Sequence, residues 1–162
     1  MRTVDRLLIR ASPEVVFRHA SEVERWPEIL PHYRWVRVLG RQADAVLVEM
    51  AAWRPFGPLR WPTWWRSEMR VDAGSREVRH RHVGGITTGM DVLWSVTAAP
   101  GGTLAEIVHE WSGPAWPLIR RPAADLVIGP VFIHGIASRT LAGIGRAAER
   151  GSAVARQGGR ER

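Results

Sequence analysis

A chain of 162 residues falls within the size of one domain and is long enough to bury a continuous core. It has no cysteine, which excludes disulfides and thiolate chemistry, and no run approaching the roughly 18 apolar residues that a membrane-spanning helix needs. Its formal charge of +7 comes from 23 arginines and no lysine, scattered along the chain, so no specific nucleic-acid module is indicated, although an anionic membrane or an acidic acyl carrier protein would meet such a surface favourably.

The N-terminal stretch MRTVDRLLIRAS mixes charges with apolar residues and lacks an apolar signal region, so the chain is expected in the cytoplasm. Thr3 to Arg10 alternates as a strand. Ser12-Pro13-Glu14 then reads as a helix start: a capping hydroxyl, a proline in the first turn and a carboxylate at the positive helix end. Val15, Val16, Phe17 and Ala20 supply the buried side. A second short helix, about Glu22 to Leu30, is interrupted by Pro27 and ended by Pro31.

From Tyr33 the apolar period becomes two. The expected strands are Tyr33 to Leu39, Ala45 to Trp53, Leu59 to Val71, Glu77 to Val83, Thr88 to Ala98 and Thr103 to Trp111. Asp72-Ala73-Gly74-Ser75, Gly84-Gly85 and Pro100-Gly101-Gly102 supply short turns, which join antiparallel neighbours. Trp53 to Trp61, with its prolines and glycine, reads as a wide hairpin and a candidate rim.

Alternation assigns the strand faces. Trp61, Thr63, Trp65, Ser67, Met69 and Val71 share the inward side of one strand, with Trp64, Arg66, Glu68 and Arg70 opposite. Val78, His80 and His82 point inward from the next, followed by Met90, Val92, Trp94 and Val96, then Ala105, Ile107, His109 and Trp111. This inner face is apolar and aromatic, interrupted by Ser67, His80, His82 and His109. Such a mixture suits a ligand cavity, or an ordinary core whose histidines are satisfied by neighbours.

The last helix is expected over Val131 to Glu149. Phe132, Ile133, Ile136, Ala137, Leu141, Ile144 and Ala148 recur at spacings of three and four, with Gly129-Pro130 as the start and Gly151 as the stop. Gly135, Gly143 and Gly145 each cost about 1 kcal/mol against alanine in a helix, which points to close packing or to room left beside it. Residues 1–150 would form a single ligand-binding domain and 151–162 a disordered basic tail. The segment Gly113 to Ile128 carries Trp116, Leu118 and Ile119 beside Arg120-Arg121 and reads as a lid, a membrane contact or plain packing.

The order strand, two helices, six-stranded meander and long helix resembles the START-like helix-grip (SRPBCC) superfamily, and within it the polyketide cyclase/dehydrase (aromatase/cyclase) group. The likeness rests on Ile9, Ala11-Ser12-Pro13 and Val16-Phe17, then Trp26-Pro27-Glu28 with Tyr33, then the tryptophan-rich strand leading to Gly74-Ser75-Arg76, then Trp94 and Gly101-Gly102-Thr103. It implies an α+β fold in which a seven-stranded antiparallel sheet wraps around the C-terminal helix, with two short helices after the first strand and a hydrophobic tunnel inside. It implies a hydrophobic small-molecule ligand, polycyclic, polyketide-like or lipid, and either aldol cyclisation with dehydration or non-catalytic carriage of a lipid or quinone at a membrane. A ribosome-associated role is a third reading.

Carried over residue by residue, Trp26, Tyr33, Trp65, Ser67 and Trp94 are the wall residues. Where such cyclases are expected to carry an inward arginine, two residues after Ser67, this chain has Met69, and a thioether can neither stabilise an enolate nor donate a proton. His80, His82 or His109 could replace that arginine, because imidazole exchanges a proton near neutral pH, and Tyr33, Ser67 and His109 are the candidate catalytic residues. Trp26, Trp65, Met69, His80, His82, Trp94, Ile107, Trp111, Phe132 and Ile136 are the candidate ligand contacts.

Other chemistries have less support. His80 and His82 point to one side but lack paired carboxylates on the same face, so neither a metal nor a cofactor is expected. Gly84 to Gly89 lacks a phosphate-loop lysine, and no serine sits in a Gly-x-Ser-x-Gly elbow. The sequence is compatible with a monomer or a homodimer.

Overall fold

The computed structural model describes residues 1–56, 59–113 and 134–158. Strand β1 (Arg2–Ile9) leads into helix α1 (Pro13–Ser21), whose first turn is capped as expected: the Ser12 hydroxyl accepts from the Val15 amide at 3.4 Å. The second predicted helix divides into a 3₁₀ turn, Val23–Arg25, and a four-residue helix α2, Trp26–Ile29. Pro27 has no N–H to continue a ladder from the preceding turn, so it starts a helix of its own.

The meander follows as β2 (Tyr33–Gln42), β3 (Ala45–Phe56), β4 (Leu59–Asp72), β5 (Glu77–Gly85), β6 (Asp91–Ala99) and β7 (Gly102–Glu110), and helix α3 (His134–Gly158) completes the fold. The seven strands form one antiparallel sheet in the order β1-β7-β6-β5-β4-β3-β2. This is the helix-grip architecture. One face of the sheet packs on α1, α2 and α3, around Ile9, Val48, Val78, Trp94, Ile107, Leu141 and Ile144.

Two helix glycines mark where α3 lies closest to its neighbours. A Cβ at Gly143 would stand 2.2 Å from Leu30 Cδ2, and one at Gly145 would stand 3.2 Å from Leu7 Cδ2. Close packing is thus the reason for these two, whereas Gly135 has open space beside it.

Several expectations need correction. Helix α3 does not stop at Gly151 but runs to Gly158, so 151–158 are helical rather than tail. Glycine is costly in a helix but not excluded from it, and the Ser152 hydroxyl donates to Ala148 O at 2.9 Å within the next turn. The expected wide hairpin from Trp53 to Trp61 is a paired ladder as far as Phe56 and Leu59. Strand β6 begins at Asp91 because Thr88 and Gly89, expected before it, belong to a turn, with Gly89 at φ +86. Trp61 and Val71 are solvent-exposed although they share the phase of buried Thr63 to Met69. They stand at the two ends of β4, beyond the cover of the helices. The helix start at 129–133, including Phe132, the segment 114–128 and residues 159–162 lie outside the described residues.

Candidate functional site

The cavity lies between the centre of the sheet and α3. Its described walls are Trp26, Tyr33, Met50, Trp65, His80, His82, Thr87, Met90, Val92, Trp94, Ile107, His109, Ile136, Ala137 and Thr140, and its volume is about 50 Å³. Sites that enclose drug-sized ligands span roughly 300–1,000 Å³. A ring-bearing guest therefore requires the walls to yield, and unbranched Met50 and Met90 are suited to that. A larger depression of about 670 Å³, lined by Arg10, Ser12, Arg18, Gly101 and Ser152 among others, has no aromatic wall and lies outside the core.

A run of rings organises one side of the cavity. Trp94 and Trp26 are 5.8 Å apart, Trp26 meets Tyr33 edge-on at 5.1 Å, and Tyr33 meets Trp65 at 6.0 Å. Trp65 stacks on His82 at 5.9 Å with 20° between the planes. These separations are those at which aromatic pairs attract. Trp26 is fixed at its polar end as well, its indole N–H donating to His19 O at 2.9 Å. Trp65 is set by Gly85, which pairs with it across β4 and β5 at φ +90. A Cβ there would stand 2.4 Å from Trp64 O and 2.8 Å from Trp65 Cα, so only glycine fits.

The sheet register places the polar groups. Ser67 faces His82, and the row Met69, His80, Val92, His109 crosses from β4 to β7. His80 and His109 are thus separated by two strand spacings, roughly 10 Å along the sheet. Among the described residues, no group of three or more His, Cys, Asp or Glu is arranged to hold a metal ion.

His82 Nδ1 and Thr87 Oγ1 lie 2.7 Å apart, which orients the imidazole stacked on Trp65. On the opposite wall Thr140 Oγ1 meets His32 Nε2 at 3.0 Å, tying α3 to the start of β2. His80 is buried between Met69 and Val92. Loss of solvation pushes its pKa down to about 4, so its imidazole is neutral near pH 7.

Most of the sequence candidates gather here: Trp26, Tyr33, Trp65, His80, His82, Trp94, Ile107, His109 and Ile136 all line the cavity. Ser67 and Met69 are buried on the same face but are not part of the cavity wall. Trp111 is buried beside it and uses its N–H on Thr88 O at 3.0 Å. Arg66 and Arg70 are on the other face, paired at 3.0 Å with Glu49 and Asp44, so neither guanidinium stands in for the arginine missing at Met69.

Thr87, Thr140, Met50 and Ala137 were not anticipated as lining residues. Thr140 was within reach, since it follows Ile136 by four on the apolar face of α3. Thr87 had no signal, because it sits in a turn that has no period.

A seven-stranded antiparallel sheet around a terminal helix, enclosing an aromatic cavity, defines a START-type helix-grip domain. Residues 9–128 match the family described as "Polyketide cyclase / dehydrase and lipid transport", and the chain belongs to that family. A relative from Streptomyces cyaneus named "Putative polyketide cyclase" is 30% identical over 105 residues, which is 62% of this chain and 66% of that protein.

Among solved structures, TTHA0849 from Thermus thermophilus superposes with a TM-score of 0.77 at 18% identity, over 94% of this chain and 99% of that one. The Zhui aromatase/cyclase from Streptomyces sp. R1128 gives 0.74 at 16% identity, over 93% and 94%. At such identities the likeness is one of fold.

Proposed function

We propose that this chain binds a flat, ring-bearing small molecule of polyketide type in the cavity and promotes its aldol closure and loss of water. The observation that carries the reading is the continuous run Trp94, Trp26, Tyr33, Trp65 and His82, which offers ring faces and edges for stacking along one wall. Family membership and the aromatase/cyclase likeness of fold support it.

Aldol closure needs a base to take a proton from a carbon between two carbonyls, a donor to the oxygen on which charge develops, and an acid for the departing hydroxyl. His82, held by Thr87 and stacked on Trp65, is placed to exchange a proton, with His109 across the same cavity. The Tyr33 hydroxyl supplies a donor. Met69 leaves no cation among the described lining to hold the enolate, so that work falls to these hydrogen-bond donors. Ser67, one strand from His82, reaches the ligand only if the wall opens.

Met69 itself favours a second reading, in which the cavity carries a hydrophobic ligand without transforming it.

The test has two steps. Flat phenols of one to three fused rings are titrated while tryptophan fluorescence is followed. Saturable binding that weakens tenfold or more in Trp65→Ala supports the site, and its absence overturns it. Turnover of a poly-β-ketone thioester, lost in His82→Gln, supports the cyclase reading. Tight binding without turnover leaves the carrier.

A further inference from the structure

The polar atoms of the cavity are not alike. His82 is engaged by Thr87, and Thr140 by His32. His80 Nε2 is different: it is fully buried and has no hydrogen-bond partner among the described residues. Its residue is only 6% exposed and forms part of the cavity wall.

Burying a polar atom without a partner is costly, and a leucine of similar volume would avoid that cost. Among the described residues its cross-strand neighbours, Met69 and Val92, do not call for an imidazole. Among the described residues the nitrogen has no partner within the fold, and once the walls yield to a guest it is available to hydrogen-bond it. The described lining contains no Arg, Asp or Glu, so a charged group on the guest would find no counter-charge.

We propose that His80 is the polar anchor of the cavity: its Nε2 hydrogen-bonds a hydroxyl of a neutral ring-bearing ligand, so that phenol- or enol-type rings are selected over hydrocarbons and over anions. This rests on the reading of the cavity as a binding site and adds the chemical identity of the guest. A neutral imidazole suits the task because, depending on its tautomer, Nε2 either accepts from a hydroxyl or donates to it. The strand position fixes where the hydroxyl must lie, near the middle of β5, while the rings extend toward Trp65 and Trp94.

The experiment compares three small probes, phenol, toluene and benzoate, by calorimetric titration into the whole protein and into His80→Leu. Phenol and toluene are close in size and differ mainly in the hydroxyl. The ratio of their affinities is expected to shift three- to tenfold toward toluene in His80→Leu, as loss of one neutral hydrogen bond dictates. Benzoate is expected not to saturate. An unchanged ratio, or benzoate binding as tightly as phenol, overturns the anchor while leaving the aromatic cavity standing. Failure of both phenol and toluene to bind overturns the cavity reading and the anchor with it.

The imidazole nitrogen resonances of the unsubstituted protein give a readout independent of the variant. Phenol is expected to move the His80 Nε2 signal and toluene to leave it in place; equal movement by both refutes the hydrogen bond.

Discussion

Burial of His80 ties stability to pH in a way that one substitution should remove. An unfolded imidazole titrates near 6.5, whereas that of His80 in the folded chain is pushed down to about 4. Above pH 6.5 both states hold it neutral and it contributes no pH dependence. As pH falls through the window from 6.5 to 4, the unfolded chain takes up a proton that the folded chain refuses, so stability is lost on acidification. Below about 4 the loss levels off. At about 1.36 kcal/mol for each decade of proton activity, the linkage relation gives a loss of about 2.5 kcal/mol between pH 7.5 and 4.5.

Urea unfolding of the protein and of His80→Leu at both pH values checks this. At pH 7.5 the variant should be the more stable of the two, since leucine removes an unpartnered buried nitrogen and keeps the volume. The variant should lose about 2.5 kcal/mol less on acidification. His19, whose pKa is also lowered by desolvation, is common to both proteins and cancels in the comparison. Equal losses in the two proteins would refute the reasoning.

Other outcomes follow from the packing. Gly151→Ala adds a Cβ into open space within a helix and should stabilise by about 0.5–1 kcal/mol. Gly143→Ala meets fully buried Leu30 at 2.2 Å, and overpacking of about 1–3 kcal/mol outweighs the same helical gain, so thermal melts should move in opposite directions for the two. Thr87→Val keeps the shape but removes the hydroxyl that orients His82; ring binding should persist within about threefold while any proton-transfer turnover falls about tenfold or more, and unchanged turnover would dismiss the pair. Gly85→Ala should weaken binding of fused-ring phenols together with stability, because the new Cβ collides with the backbone that seats Trp65.

Much of this molecule was legible one residue at a time. Ser12-Pro13-Glu14 announced α1 because capping is a local contract between a hydroxyl and an amide three residues on. Period-two alternation placed His80, His82, Trp94 and His109 on the buried side because successive side chains of a strand leave opposite faces. Where the inference failed, the cause was nonlocal. Gly151 looked like a stop, but a helical glycine is tolerated once the chain on both sides continues the helix. Trp61 and Val71 had the inward phase of their strand, but phase does not say how far the covering helices extend.

The order of elements, the antiparallel meander and, away from the ends of β4, the inward residues were readable from sequence, since each depends on contacts within a turn or between neighbouring strands. Tertiary structure alone decided which of those residues share a cavity. It left Ser67 and Met69 off its wall, brought Thr140 and Thr87 onto it, and left His80 Nε2 buried with no hydrogen-bond partner among the described residues. The physical reason is that sheet register and the seat of a helix are set by packing between segments distant along the chain, here Gly143 against Leu30 and Gly145 against Leu7, and no local pattern encodes those distances.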